Sequence, residues 1–210
     1  MDGTLVDNSA VHVRAFKIFC ERYGVGGWRE KLAQAFGMGN DDIMRRIMPA
    51  EIIRDKGLAA LADEKEAIYR EIYAPTIRPV GGLTDLLERL RAAGIRCAVG
   101  SSGCRTNIDF VLEKCGIEGC FDAIVSGDRV TRCKPDPEIY LTAAAALGLE
   151  PAECVVFEDA KAGIEAARRA GAGRIVTLTT TLPREVLVTE TATNLIIDTF
   201  ADITDLETIL

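Results

Sequence analysis

The sequence predicts an α/β fold: a parallel sheet covered by helices on both faces, with an all-helical segment inserted near its start. Three observations predict it. From residue 96 onward, short apolar runs alternate with helical stretches, the order of a sheet built from strand–helix units. Those runs, at 96–100, 123–126, 154–157, 174–178 and 195–197, are apolar throughout rather than alternating, as suits strands buried on both faces. Residues 9–77, by contrast, carry helical spacing and no strand signal.

The elements follow in order. Residues 9–23 read as a helix with Val11, Ala15 and Phe19 on one face, capped by Asn8 or Ser9 and ended at residues 24–27. A short helix spans 28–36, followed by a turn at 37–40. Ile43, Met44, Ile47 and Met48 mark a helix over 41–48 that Pro49 closes. Leu61, Ile68, Tyr69, Ile72 and Tyr73 mark a longer helix over 60–73. Pro75 and Pro79 signal the exit from this segment. Leu83, Leu86, Leu87 and Leu90 then form a helical stripe that stops at Gly94. Helices over 107–115, 137–147 and 160–170 alternate with the strands. The threonines at 179–181 and 189–193 read as a polar surface loop before the last strand.

Composition bounds the function. A chain of 210 residues, 48% apolar and 27% charged, fits a soluble globular protein of one domain or one domain with an insertion. The net charge of −7 and the lack of a basic run argue against a nucleic-acid partner. No stretch approaches the ~18 apolar residues of a membrane span, and no signal-peptide pattern opens the chain. Seven cysteines, an odd number without a Cys-x-x-Cys pair, read as reduced thiols of a cytoplasmic protein, and zinc-ligand spacing is lacking.

In an open parallel sheet, ligands bind beyond the carboxyl ends of the strands. Ser101, Ser102 and Gly103 follow the strand at 96–100. Hydroxyls and backbone N–H groups at a helix start form an anion site, or else a serine N-cap. Lys134 lies after the strand at 123–126, in the sequence Lys134-Pro135-Asp136-Pro137, where two prolines fix the loop. It serves a site or is a solvated lysine before a helix. Glu158 and Asp159 follow the strand at 154–157. Adjacent carboxylates suit a hard cation, Mg²⁺ foremost, or complement a helix dipole. The opening stretch, Met1-Asp2-Gly3-Thr4-Leu5-Val6-Asp7-Asn8, adds an acid, a glycine and a hydroxyl, although Asp-Gly also forms ordinary turns. Four such loops at one sheet edge favour a common site.

On these residues the sequence resembles the haloacid dehalogenase superfamily of phosphotransferases, in the branch of β-phosphoglucomutases and small sugar phosphatases. Met1-Asp2-Gly3-Thr4 matches the last four positions of the family's first motif, Asp-x-Asp-Gly-Thr. Ser101 matches the second motif, Lys134 the third, and Glu158 with Asp159 the fourth. The resemblance implies a Rossmann-like core formed by 1–8 and 78–210, and a helical cap domain at 9–77 hinged at 7–8 and 78–82. It implies transfer of a phosphoryl group to an aspartate and onward to water or a second hydroxyl. Asp2 would be the general acid and base and lend its backbone oxygen to the metal. Ser101, Ser102, Gly103 and Lys134 would hold phosphate, with Ser101 and Lys134 also serving the chemistry. Asp2, Glu158 and Asp159 would hold Mg²⁺.

The pattern departs from the family at one point. The motif's nucleophile falls immediately before Met1, and the central first strand of the sheet is missing from the numbered chain. The expectation is that an internal methionine was taken as the start or that leading residues were lost. In the cap, His12 matches a hinge position, or is a partly exposed helix residue. Asn40, followed by Asp41 and Asp42, stands where a mutase would carry a phosphate-gripping arginine. The expected activity is therefore a Mg²⁺-dependent phosphatase acting on a small phosphorylated metabolite such as a sugar phosphate. The alternatives are a β-phosphoglucomutase-type mutase and a non-catalytic phosphate-binding or protein-binding descendant. A monomer or weak dimer is expected, with no nucleic-acid or membrane partner.

Overall fold

The computed structural model describes residues 1–33, 39–190 and 192–210, and leaves out the side chains at 40 and 190. The chain divides into two units, Met1–Asp7 with Arg78–Leu210, and Asn8–Ile77.

The second unit is helical. It comprises α1 (Ser9–Arg22), α2 (Trp28–Ala33), α3 (Asn40–Ile47), α4 (Ala50–Lys56) and α5 (Leu58–Tyr73). Ala15, Phe16, Phe19 and Cys20 form the buried stripe of α1, and Leu61, Ala62, Ile68, Tyr69 and Tyr73 belong to that of α5. Spacings of three and four place each set on one helical face. Asn8 occupies the N-cap position of α1 without capping it. Its amide donates instead to the Tyr69 hydroxyl at 2.7 Å. The sequence reading missed α4, which buries no side chain and so shows no apolar stripe. Part of the helix expected over 28–36 lies outside the described residues.

The first unit alternates helix and strand: α6 (Leu83–Ala92), β1 (Ala98–Gly100), α7 (Arg105–Cys115), β2 (Ala123–Val125), α8 (Glu138–Leu147), β3 (Val155–Glu158), α9 (Lys161–Ala170), β4 (Arg174–Leu178), α10 (Arg184–Glu190) and β5 (Leu195–Ile197). All pairings are parallel. The segment after β4 holds α10 rather than the expected uninterrupted loop. Thr193 lies in the ladder region, where its hydroxyl accepts from Thr177 at 2.8 Å and donates to the Leu195 carbonyl at 3.0 Å. These threonines join β4 to β5 and are not an idle surface run.

The strands form two sheets, β1–β2 and β3–β4–β5, and no named strand bridges them among the described residues. The break follows from where the backbone points. In a parallel ladder, alternate residues direct both N–H and C=O to the same neighbour. Ser101 N–H donates to Val125 and Arg174 N–H donates to Cys154, so Val99 and Val156 face their partners. Ala98 and Gly100, and likewise Val155 and Phe157, turn their backbone groups the other way. Between these edges lies a cavity of about 390 Å³, lined by Val99, Val156, Phe157, Leu86, Leu90 and Leu147 among others.

This geometry predicts a split in hydrogen exchange. The Gly100 and Phe157 amides, turned toward the cavity, should exchange at least tenfold faster than those of Val99 and Val156. Amide-resolved exchange measured by NMR checks this, and equal protection at all four positions would contradict the ladder phase.

Candidate active site

The opening residues make a tight turn. The N–H groups of Thr4 and Leu5 donate to the Met1 carbonyl at 3.1 and 2.7 Å, and Asp2 bridges to Val6. Gly3 takes φ +68°, a left-handed conformation that glycine adopts without strain. A Cβ at this position would fall on the Asp159 carboxylate. The turn therefore closes directly on the end of β3. Thr4 Oγ1 donates to Asp159 Oδ1 at 2.9 Å, across 155 residues of sequence.

Ser101 directly follows β1 and is 3% exposed. Its Oγ accepts from the Gly103 N–H at 3.1 Å, which leaves the hydroxyl proton for another acceptor. It does not cap α7, whose N-cap residue is Cys104. Asp128 instead receives the Arg105 N–H at 2.7 Å. A Cβ added to Gly103 would lie 3.3 Å from Ser101 Oγ and 3.5 Å from Asp2 Oδ2, so the Asp2 carboxylate and the Ser101 hydroxyl flank the same glycine. Ser102 shares this loop, and its carbonyl packs against Gly127.

Lys134 crosses from the loop before α8. Its Nζ donates to Glu158 Oε1 at 2.5 Å, to the Tyr140 hydroxyl at 2.9 Å and to the Gly100 carbonyl at 3.5 Å. It thus touches the carboxyl ends of both β1 and β3. Glu158 and Asp159 are 4% and 6% exposed. Their surroundings push them in opposite directions. Burial opposes ionisation of Glu158, but the Lys134 charge and the hydrogen bonds from Lys134 and Tyr140 outweigh it and hold the carboxyl at about 2. Burial and then the Glu158 charge raise Asp159 to about 6, against hydrogen bonds from Thr181 and Thr4. A Cβ at Gly163 would fall on the Glu158 carboxylate, so the first turn of α9 must be bare there.

The structure thus brings Asp2, Ser101, Gly103, Lys134, Glu158 and Asp159 to one sheet edge. His12 and Asn40 belong to the helical unit. His12 stacks on Tyr69 with ring centroids 4.0 Å apart, and its Nδ1 lies 3.3 Å from Lys65 Nζ. Asn40 opens α3, but its side chain and residues 37–38 lie outside the described residues.

The sequence reading missed Tyr140, Thr180 and Thr181. Thr181 donates to Asp159 Oδ2 and Thr180 to the Gly3 carbonyl. Both follow the carboxyl end of β4, where the rule that selected Ser101 would have reached them. Tyr140 was hidden in the apolar stripe of α8. Its signal was the hydroxyl, which must find a partner when buried.

For Mg²⁺, the donor set fits in part. Asp159 is a buried carboxylate, and the two hydroxyls that donate to it leave acceptor sites open for a cation. No cluster of three or more acidic, histidine or cysteine side chains is arranged to hold a metal among the described residues. The expected set must therefore draw on backbone oxygen beside Asp159.

Strand ends that gather acids, hydroxyls and a lysine suit the handling of phosphate esters, and the chain is a phosphoryl-transfer enzyme of the phosphatase or phosphomutase kind. It belongs to the haloacid dehalogenase-like hydrolases, whose family model matches residues 1–177. It is 31% identical to a phosphorylated carbohydrates phosphatase of Thermotoga maritima, over 83% of this chain and 81% of that protein. It is 29% identical to the β-phosphoglucomutase of Bacillus subtilis, over 81% of this chain and 77% of that enzyme. The crystal structure of CbbY from Rhodobacter sphaeroides in complex with phosphate superposes with a TM-score of 0.84 at 27% identity, over 100% of this chain and 96% of that one. No helix among the described residues is long and apolar enough to cross a membrane.

The opposed shifts yield a pH prediction. Asp159 binds its proton more tightly in the folded protein than at its usual value of 3.8. Its contribution to stability is therefore complete below about 4 and is lost as pH rises through about 6. In EDTA, the melting temperature of Asp159→Asn minus that of the unsubstituted protein should increase between pH 4 and 6 and then level off. A difference independent of pH would contradict the raised value.

Proposed function

We propose that this chain is a Mg²⁺-dependent phosphatase acting on a small phosphorylated metabolite, a sugar monophosphate foremost. The observation that carries the reading is the convergence of Asp2, Ser101 and Lys134 around the carboxyl end of β1. Lys134 meets the negative charge that grows on the phosphoryl oxygens during transfer. Ser101, its oxygen already satisfied by Gly103, turns its hydroxyl proton to a phosphate oxygen. Asp2 protonates the leaving oxygen and then takes a proton from the attacking water. In the family motif the nucleophile is an aspartate two positions before the residue that Asp2 matches. Bound beside Asp159, Mg²⁺ would neutralise the phosphate and carboxylate charges. Asp159 and the Asp2 backbone oxygen would hold it; Glu158, the third expected ligand, is instead taken up by Lys134, Tyr140 and two backbone N–H groups.

The names of the Thermotoga and Bacillus relatives support a phosphorylated carbohydrate as substrate. Between hydrolysis and isomerisation, the helical unit favours hydrolysis. Asn40, Asp41 and Asp42 match the loop in which, by the resemblance, a mutase carries a phosphate-gripping arginine, and acids there suit no second phosphate.

Phosphate release from a panel of sugar monophosphates tests this reading. The chain preceded by an apolar strand ending in aspartate should turn over at least one ester with Mg²⁺ and lose activity in EDTA. Asp2→Ala and Lys134→Ala should each lower kcat/KM at least 100-fold. Lack of turnover on every ester, or full activity of Asp2→Ala, would overturn it.

A further inference from the structure

Glu158 has no open acceptor site. A carboxylate offers about four lone-pair positions. Oε1 receives the Tyr140 hydroxyl and Lys134 Nζ. Oε2 receives the backbone N–H groups of Asp159 at 3.0 Å and Ala160 at 3.3 Å. Lys134 is held just as closely. Its three protons reach Glu158, the Tyr140 oxygen and, at the longest distance, the Gly100 carbonyl. The Tyr140 ring also lies under the ammonium, 4.7 Å from Nζ to centroid. The same ring flanks Gly100, where a Cβ would stand 3.5 Å from it.

Lys134, Tyr140 and Glu158 thus close a triangle. The tyrosine hydroxyl gives its proton to the carboxylate and accepts one from the ammonium. Of the three lysine contacts, only the one to Gly100 is weak enough to be exchanged easily for a ligand oxygen. Removing the hydroxyl would let Lys134 collapse onto Glu158 alone and would open an acceptor site on Oε1.

We propose that Tyr140 is a positioning residue that fixes the Lys134 ammonium toward Gly100, ready for a phosphate oxygen, and keeps Glu158 committed to Lys134 rather than to a metal. This rests on the phosphatase reading, because it assumes that Lys134 meets phosphate. Asp159 is then the carboxylate of the pair that remains open to a cation.

The test uses inorganic phosphate and Mg²⁺ as separate probes of the whole chain, by calorimetry. In Tyr140→Phe, phosphate binding should weaken about tenfold. Mg²⁺ affinity should stay within twofold, and the melting temperature within about two degrees. Tyr140→Leu, which also removes the ring face, should weaken phosphate binding further. A purely structural role would move the melting temperature and both affinities together. Unchanged phosphate binding in Tyr140→Phe, with weakened binding in Lys134→Met, would overturn the role of Tyr140 alone. Unchanged binding in both variants would overturn the phosphatase reading beneath it. Should Tyr140→Phe fail to fold, the unsubstituted protein still decides. Phosphate should shift the assigned ¹³C resonances of the Tyr140 ring, and should not do so in Lys134→Met. No shift would overturn the proposal.

Discussion

Two neighbouring carboxylates are buried at the end of β3 and only one of them binds the Lys134 ammonium, and the chain around them is arranged to make that tolerable. Breaking a buried ion pair by removing one partner commonly costs about 3–5 kcal/mol, because the other charge stays behind without compensation. Lys134 therefore has to be delivered to Glu158 with accuracy, and the loop before α8 delivers it at 2.5 Å. Two backbone N–H groups at the start of α9 complete the Glu158 shell. Asp159 accepts instead the hydroxyls of Thr4 and Thr181. The pair divides into one carboxylate bound to Lys134 and one held by hydroxyls alone among its hydrogen bonds. A residual buried negative charge beside hydroxyls is a standing demand for a cation.

That demand dictates several small residues. Glycine stands at 3 and 163 because a side chain at either place would collide with one of the two carboxylates. The turn at 1–6 is consequently part of the β3 terminus in space, although it is remote in sequence. Lys134 ties the other side by reaching Gly100 at the end of β1. The two sheets are separated along most of their length by the apolar cavity, yet they are cross-linked through polar groups at their carboxyl ends.

Much of this was legible in the sequence. The change at residue 96 from helical stripes to apolar runs fixed the order of strands and helices, because strands covered on both faces need no alternation. The sheet-edge rule then singled out Ser101, Lys134, Glu158 and Asp159. Less visible was the division of labour between Glu158 and Asp159. Neighbouring residues differ in side-chain direction, and only the folded chain decides which one meets Lys134. Tyr140 was illegible for a different reason: an aromatic on a core-facing stripe reads as packing until its hydroxyl partner is seen. Thr180 and Thr181 were overlooked because a run of threonines resembles a solvated loop, although its place after β4 carried the same information as the loop after β1. The α4 helix lay beyond pattern analysis, since nothing in it is buried.

The helical unit solves the same electrostatic problem with the same means. Lys65 and Glu66 are almost wholly buried and paired at 2.6 Å. The Lys65 ammonium sits 4.6 Å above the Phe16 ring and 3.3 Å from His12 Nδ1. An ammonium has only protons to give, so the facing Nδ1 is the acceptor of this contact. Each unit therefore surrounds one buried lysine with a carboxylate, an aromatic face and a third acceptor. The third acceptor separates the two cases. For Lys65 it is a ring nitrogen whose orientation is fixed by stacking on Tyr69. For Lys134 it is a distant carbonyl at a strand end, the weakest contact of the set. A buried lysine held by two strong partners and one weak one is directed without being saturated, which is the condition a residue must meet if it is to receive an anion and release it again.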